Sequence, residues 1–179
     1  MADHVTPTLD VAAVRGDFPI LASEMNGRPL VYLDNAASTQ KPACVIDELG
    51  RFLREDYANI HRGVYDLSMR ASEQHDGARE RVRRFVNAPE AREVVFTRNG
   101  TEGINLVANS YVRPRARPGA KVVVSRMEHH ANIVPWQMLR AATGLELDVV
   151  ELTPEGELRL DELEAKIDAD TVLVSLPWV

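Results

Sequence analysis

Apolar positions follow a helical period in the first half of the chain, then alternate between strand-like runs and helical stripes. Residues 8–30 hold a short helical stretch around Val11 and Val14, then the breakers Phe18-Pro19 and Asn26-Gly27. The run Leu30-Val31-Tyr32-Leu33 that follows predicts a strand, ending in the small, polar string Asp34 to Thr39. From Pro42 to about Tyr57, Val45, Ile46, Leu49, Phe52 and Leu53 recur at helical spacing, with Pro42 suited to a first turn. A second helix is predicted over Leu67 to Asn87, with the stripe Leu67, Ala71, Ala78, Val82, Phe85 and Val86, an i, i+4 pair of Glu80 and Arg84, and a stop at Pro89.

From residue 92 strands and helices alternate. Val94 to Thr97 predicts a strand, and Ile104, Val107, Ala108 and Tyr111 a helix. After the breakers Pro114 to Gly119 come a strand at Lys121 to Ser125, a helix at Val134 to Thr143 closed by Gly144, and a strand at Glu146 to Leu152. The turn Pro154-Glu155-Gly156 precedes a short helix with Leu160, Leu163 and Ile167, and a strand at Thr171 to Ser175. This alternation implies an α/β sheet, mainly parallel, with helices on both faces. The chain leaves its last core strand at Leu176-Pro177-Trp178-Val179 with no closing helix, and the expectation is a domain truncated there.

Composition narrows the function classes. The chain has 179 residues, 45% hydrophobic and 27% charged, which is globular rather than disordered. Its net charge of −6 argues against nucleic acid as a partner. No apolar run approaches the ~20 residues of a membrane helix, and the polar start MADHVTPTLD is no signal peptide, so no membrane partner and a cytoplasmic location are expected. A single cysteine, Cys44, makes no intrachain disulfide and no Cys-rich metal cage.

Two stretches could carry chemistry. Phe96 to Gly103 runs from a predicted strand into a helix, whose free N–H groups and dipole make an anion site. Gly100 allows a phosphate to approach and Thr101 offers a hydroxyl, while Asn99 and Glu102 have capping-box spacing. A capped helix with nothing bound accounts for the same residues. Met127 to Asn132 lies past the next strand, on the same sheet end. His129 and His130 diverge and H-E-x-x-H is absent, so no metal is expected, whereas an imidazole could stack on an aromatic ligand. One His in a hydrogen-bond network and one exposed is the alternative. His61-Arg62-Gly63 could meet an anionic substrate or cap neighbouring carboxylates; Arg79, Arg81, Arg83 and Arg84, interspersed with Glu80, fit a solvated face. Cys44 fits a structural role, and His4 and His75 offer nothing specific.

Four strings together carry a resemblance: Tyr32 to Ser38 (YLDNAAS), Asn59 to Tyr65 (NIHRGVY), Gly100 to Asn109 (GTEGINLVAN) and Met127 to Gln137 (MEHHANIVPWQ). In order and spacing they are similar to the N-terminal part of a SufS-type cysteine desulfurase, in the class V aminotransferase group of fold-type I pyridoxal phosphate enzymes. The likeness runs from Phe18 onward. It implies an incomplete large domain of that fold, with residues 1–28 a segment that would pack on the small domain and 29–179 the N-terminal part of the large, cofactor-binding domain.

The cofactor implied is pyridoxal 5'-phosphate, with His129 stacked on its ring and Gly100 and Thr101 at its phosphate. Family members commonly carry Gly-Thr or Asn-Ala where this chain has Asn99-Gly100, so a hydroxyl contact at Gly100 is lost. Ala36 and Ala37 would line the substrate pocket, and His61 would approach it in the family's homodimer. The family's Schiff-base Lys and nucleophilic Cys have no counterpart here: Lys41, Lys121 and Lys166 lie outside any such motif and Cys44 lies in the wrong region. The resemblance therefore implies conversion of L-cysteine to L-alanine, with persulfide sulfur passed to an acceptor protein for iron–sulfur cluster assembly. It also implies that the 179-residue chain alone is inactive. The alternatives are a non-catalytic short form that dimerises or binds, and another class V enzyme such as a selenocysteine lyase or aminotransferase.

Overall fold

A computed structural model describes residues 9–178, so His4 and Val179 lie outside the described residues. The chain divides into two compact units, one reaching Val94 and the other starting at Val95, and each is described by itself.

In the first unit, α1 (Val11–Gly16) is capped by Asp10, whose carboxylate accepts from the Ala13 amide at 3.0 Å. A hairpin follows, β1 (Glu24–Met25) antiparallel to β2 (Arg28–Pro29). Asn26 and Gly27 between them have φ of 55° and 71°, the two positive angles that a type I′ turn requires. The expected strand at Leu30 to Leu33 does not form. The Leu30 amide donates to the Ser23 carbonyl at 3.0 Å, one bond beyond the hairpin, but a strand needs a continuing ladder partner and none pairs with Val31 to Leu33 among the described residues. Val31 and Leu33 stay exposed, and the Tyr32 hydroxyl donates to the Ser38 carbonyl at 2.6 Å, folding the following string into a turn.

Helix α2 (Ala43–Glu55) starts one residue late, with Pro42 as its extended N-cap rather than in its first turn. Helix α3 (Asp66–Phe85) carries the expected Glu80–Arg84 pair, at 3.0 Å, and a second pair from Glu80 to Arg83 at 2.8 Å. The segment between these helices is strapped to α3 by polar bonds. Asp56 accepts from Arg51 at 2.6 Å and Gln74 at 2.8 Å, Ser68 donates to the Asn59 carbonyl at 2.6 Å, and the His61 amide donates to Ser72 Oγ at 2.8 Å. Gly63 is obligatory in this strap, because a Cβ there would lie 2.2 Å from Ser68 Oγ.

Residues 94–97, which span the boundary into the second unit, likewise find no ladder partner among the described residues, so the expected strand does not form. Helix α4 (Gly100–Val107) passes into a π turn (Ala108–Val112) and a 3-10 turn (Arg113–Arg115). Then come β3 (Lys121–Ser125), α5 (Val134–Thr143), β4 (Glu146–Val150), α6 (Leu160–Lys166) and β5 (Thr171–Ser175). Gly144 ends α5 as expected, at φ 74° with its amide on the Arg140 carbonyl. Strand β4 stops two residues short of the expected end, because Leu152 instead bridges Leu158 across the Pro154–Gly156 turn.

The sheet has the order β4-β3-β5, with β3 parallel to both neighbours. Val122 and Val124 pack with Ala108, Val112, Trp136, Leu139 and Leu145 in one cluster. Val123, which alternation turns to the opposite face, is equally buried, so both faces of the central strand are covered. Each large apolar side chain in this cluster contributes about 1.5–3 kcal/mol by leaving water.

Leu139→Ala should destabilise this unit by about 2–5 kcal/mol, whereas Met138→Ala on the exposed side of α5 should change stability by less than about 0.5 kcal/mol. Urea denaturation of the two variants checks this. Equal midpoints would contradict the assignment of the core face.

Candidate functional site

Parallel strands end together, and the carboxyl ends of β3 and β5 bring a set of polar side chains into one place. Ser125, the last residue of β3, donates to Glu128 Oε1 at 2.8 Å. Asn132 donates to the other Glu128 oxygen at 2.7 Å. Its own oxygen accepts from Trp136 Nε1 at 2.9 Å and from Ser175 Oγ, at the end of β5, at 2.8 Å. Asn132 is buried, so its amide is fixed at both ends inside the protein.

His129 stands in the middle of this chain of bonds. Its backbone is extended, at φ −66° and ψ 148°, and Nδ1 accepts from the Ala131 amide at 3.1 Å, capping a short turn at His130–Asn132. With Nδ1 taken as acceptor, the neutral ring carries its hydrogen on Nε2. The ring is exposed and lies edge-on to His130, with planes at 88° and centroids 6.2 Å apart, so the two imidazoles diverge as expected.

Helix α4 packs against this same turn. Its N-cap Asn99 accepts from the Glu102 amide at 2.9 Å. The Glu102 carboxylate reaches back one residue further than a standard capping box, to the Arg98 amide at 2.6 Å, and also binds the Arg98 guanidinium. The amides of Gly100 and Thr101 meet no acceptor among the described residues, and a Cβ built on Gly100 would face open space. One end of the second unit thus presents two free helix amides, the Thr101 hydroxyl and an oriented imidazole. Ala36, Ala37 and His61 belong to the first unit, all exposed, with His61 at φ 68°. The ammonium of Lys121 is held by Asp168 at 2.8 Å and that of Lys166 by Glu162 at 2.6 Å.

A scan against protein-family models matches residues 31–179 to Aminotransferase class-V. The chain belongs to the class V aminotransferase family. Within it, a cysteine desulfurase from Escherichia coli is 51% identical over 172 residues, which is 96% of this chain and 42% of that protein. Two solved structures have the same fold over this length. The cysteine desulfurase CsdA from Escherichia coli matches with TM-score 0.75 and 35% identity, over 94% of this chain and 41% of that one. An apo cysteine desulfurase from Thermococcus onnurineus matches with TM-score 0.83 and 33% identity, over 95% and 40%. The chain thus spans about two fifths of the length of these class V relatives, and its α/β architecture is theirs. None of its described helices is long and apolar enough to cross a membrane.

The sequence singled out Gly100, Thr101 and His129 but not the residues that fix the loop around His129. Ser125, Asn132, Trp136 and Ser175 were legible only as strand ends and helix positions; the i, i+4 spacing of Glu128, Asn132 and Trp136 was the available signal.

Replacing Asn132 by Leu orphans the Trp136 indole N–H and one Glu128 oxygen, and should cost of the order of 1–3 kcal/mol for each group left unpaired. Denaturation followed by tryptophan fluorescence measures this; a variant as stable as the parent would show that the network is dispensable. A second expectation concerns acid. The Arg98 guanidinium, and then its backbone amide, hold the Glu102 carboxyl below its ordinary value of 4.5. A lowered folded value means that the stabilisation is complete above the unfolded value and is lost as pH falls through the folded one. Glu102→Gln should therefore remove an acid-dependent loosening of the α4 N-terminus, read from the Arg98 amide resonance. An identical acid titration in parent and variant would contradict this.

Proposed function

We propose that this chain forms the N-terminal part of a pyridoxal-phosphate-dependent cysteine desulfurase, acting on L-cysteine and handing sulfur to an acceptor protein for iron–sulfur cluster assembly. The observation that supports it most is the pairing of two free α4 amides with an oriented His129 ring at one end of the parallel sheet, in a chain 51% identical to a cysteine desulfurase.

The donor set fits the cofactor's chemistry. A phosphate monoester takes amide donors at a helix N-terminus, and Gly100 and Thr101 offer two, with the Thr101 hydroxyl as a third. Gly100 has no Cβ to obstruct the approach. A pyridine ring takes a flat partner, and the exposed His129 imidazole is held at Nδ1 so that its face is fixed. When bound, the cofactor supplies the electron sink for chemistry at the α-carbon of an amino acid. The chain's own residues bind and orient it: α4 neutralises phosphate charge, His129 fixes the ring plane, and the Asn132 network keeps His129 from turning away. We assign Ala36 and Ala37 to the walls of the substrate pocket and His61 to its approach in a homodimer. The Schiff-base Lys and the sulfur-accepting Cys we assign to the length of the relatives that this chain does not span, since Lys121 and Lys166 are committed to carboxylates.

Pyridoxal phosphate titrated into the 179-residue chain should bind weakly, and borohydride reduction should leave no stoichiometric adduct on any one lysine. His129→Ala should weaken that binding more than His130→Ala, by the order of 1 kcal/mol that ring stacking contributes. L-cysteine with a thiol reductant should release no sulfide, and fusion to the second half of a desulfurase should restore release. Equal effects of the two His variants would overturn the ring assignment. A fusion that turns over another amino acid but not L-cysteine would overturn the substrate.

A further inference from the structure

The segment strapped to α3 brings His61 over the turn that carries His75 and Asp76. Two independent constraints set it there. The His61 amide is bound by Ser72 Oγ at 2.8 Å, and Ser72, one turn before Asp76, is itself fixed by its bond to the Ser68 carbonyl at 2.8 Å. The His61 backbone is also held at φ 68°, a left-handed conformation that a residue with a Cβ rarely adopts and that marks stored local strain. The two rings meet edge to face at 5.3 Å between centroids, with planes at 86°.

One ligand atom from each of His61, His75 and Asp76 lies within 4.8 Å of the other two, and among the described residues no other group of three meets that test. His75 Nδ1 and Asp76 Oδ1 are 3.3 Å apart, a hydrogen-bonded pair whose shared proton a cation would replace. Ligands at about 2.0–2.1 Å around a tetrahedral zinc ion are separated by roughly 3.3–3.4 Å, so this pair already has the edge length of such a site. The set is open to solvent on one side, with His61 and Asp76 exposed and His75 half-buried, which leaves room for a water as fourth ligand.

We propose that His61, His75 and Asp76 form a binding site for a borderline divalent cation of the zinc class, completed by water. Two imidazoles among three donors select against magnesium and calcium, which take oxygen ligands. The proposal is argued from the first unit alone; a cation held there would engage the same His61 imidazole that the desulfurase reading assigns to the pocket approach.

Zinc chloride titrated calorimetrically into the 179-residue chain should give one saturable site at micromolar metal, undisturbed by excess magnesium. Cobalt(II) at the same site should give visible absorption bands typical of four-coordinate geometry. His75→Ala, His75→Gln and Asp76→Asn should each weaken binding by about tenfold or more with the far-UV circular dichroism unchanged, and His130→Ala should leave it intact. Absence of a saturable site would overturn the proposal. So would binding that survives both His75 variants, or that is lost in His130→Ala.

Discussion

The side-chain amide of Asn132 is the constraint on which the second unit's working end depends. Its oxygen accepts from Trp136 and Ser175 while its nitrogen donates to Glu128, so three elements, the loop after β3, the start of α5 and the end of β5, are tied at one buried group. No other short side chain does this. Aspartate would set a second carboxylate against Glu128 with no hydrogen to offer, and leucine would leave the Trp136 indole N–H, the Ser175 hydroxyl and one Glu128 oxygen without this partner. His129 inherits its position from this knot, since Glu128 and Asn132 are pinned on either side of it.

The two units are held together by different means. The second has a compact apolar cluster around Val122, Val124, Trp136 and Leu139. In the first, the apolar stripe of α2 (Val45, Ile46, Leu49 and Leu53) remains substantially exposed, and among the described residues Ala71 is the apolar side chain that is fully buried. What fixes its loops is a series of polar straps onto α3, among them the buried Asp56 carboxylate held by Arg51 and Gln74, with Arg51 itself bound to Gln74. The Ser68 hydroxyl, on a side chain that is fully buried, adds a further strap through its bond to the Asn59 carbonyl.

Sequence pattern read the second unit nearly residue by residue because its elements satisfy one another locally. Lys121 to Ser125 and Thr171 to Ser175 are short apolar runs between helices, and parallel pairing of such runs follows from the crossover helices. The same reasoning failed at Leu30 to Leu33 and Val94 to Thr97, short apolar runs like those strands that find no continuing ladder partner among the described residues. Side-chain period is a local property, whereas a strand is a property of two segments. The site was legible to the same depth. Gly100, Thr101 and His129 show themselves as residue types at a strand-to-helix junction, but the Asn132 knot joins residues 43 apart in sequence, and the left-handed turn at His61 leaves no signature at all.

The N-terminus of α4 is capped by its own residues and still leaves two amides without an acceptor among the described residues. Of its first four amides, that of Glu102 is taken by the Asn99 side chain and that of Gly103 by the Asn99 carbonyl, which leaves Gly100 and Thr101. A carboxylate so near would ordinarily repel a phosphate. Here both Glu102 oxygens are committed to the guanidinium and amide of Arg98, so the pair is close to neutral and the partial positive charge of the helix end is preserved. Because that pair is exposed, salt screens it, and the geometry of the two free amides rather than the net field sets what the site accepts.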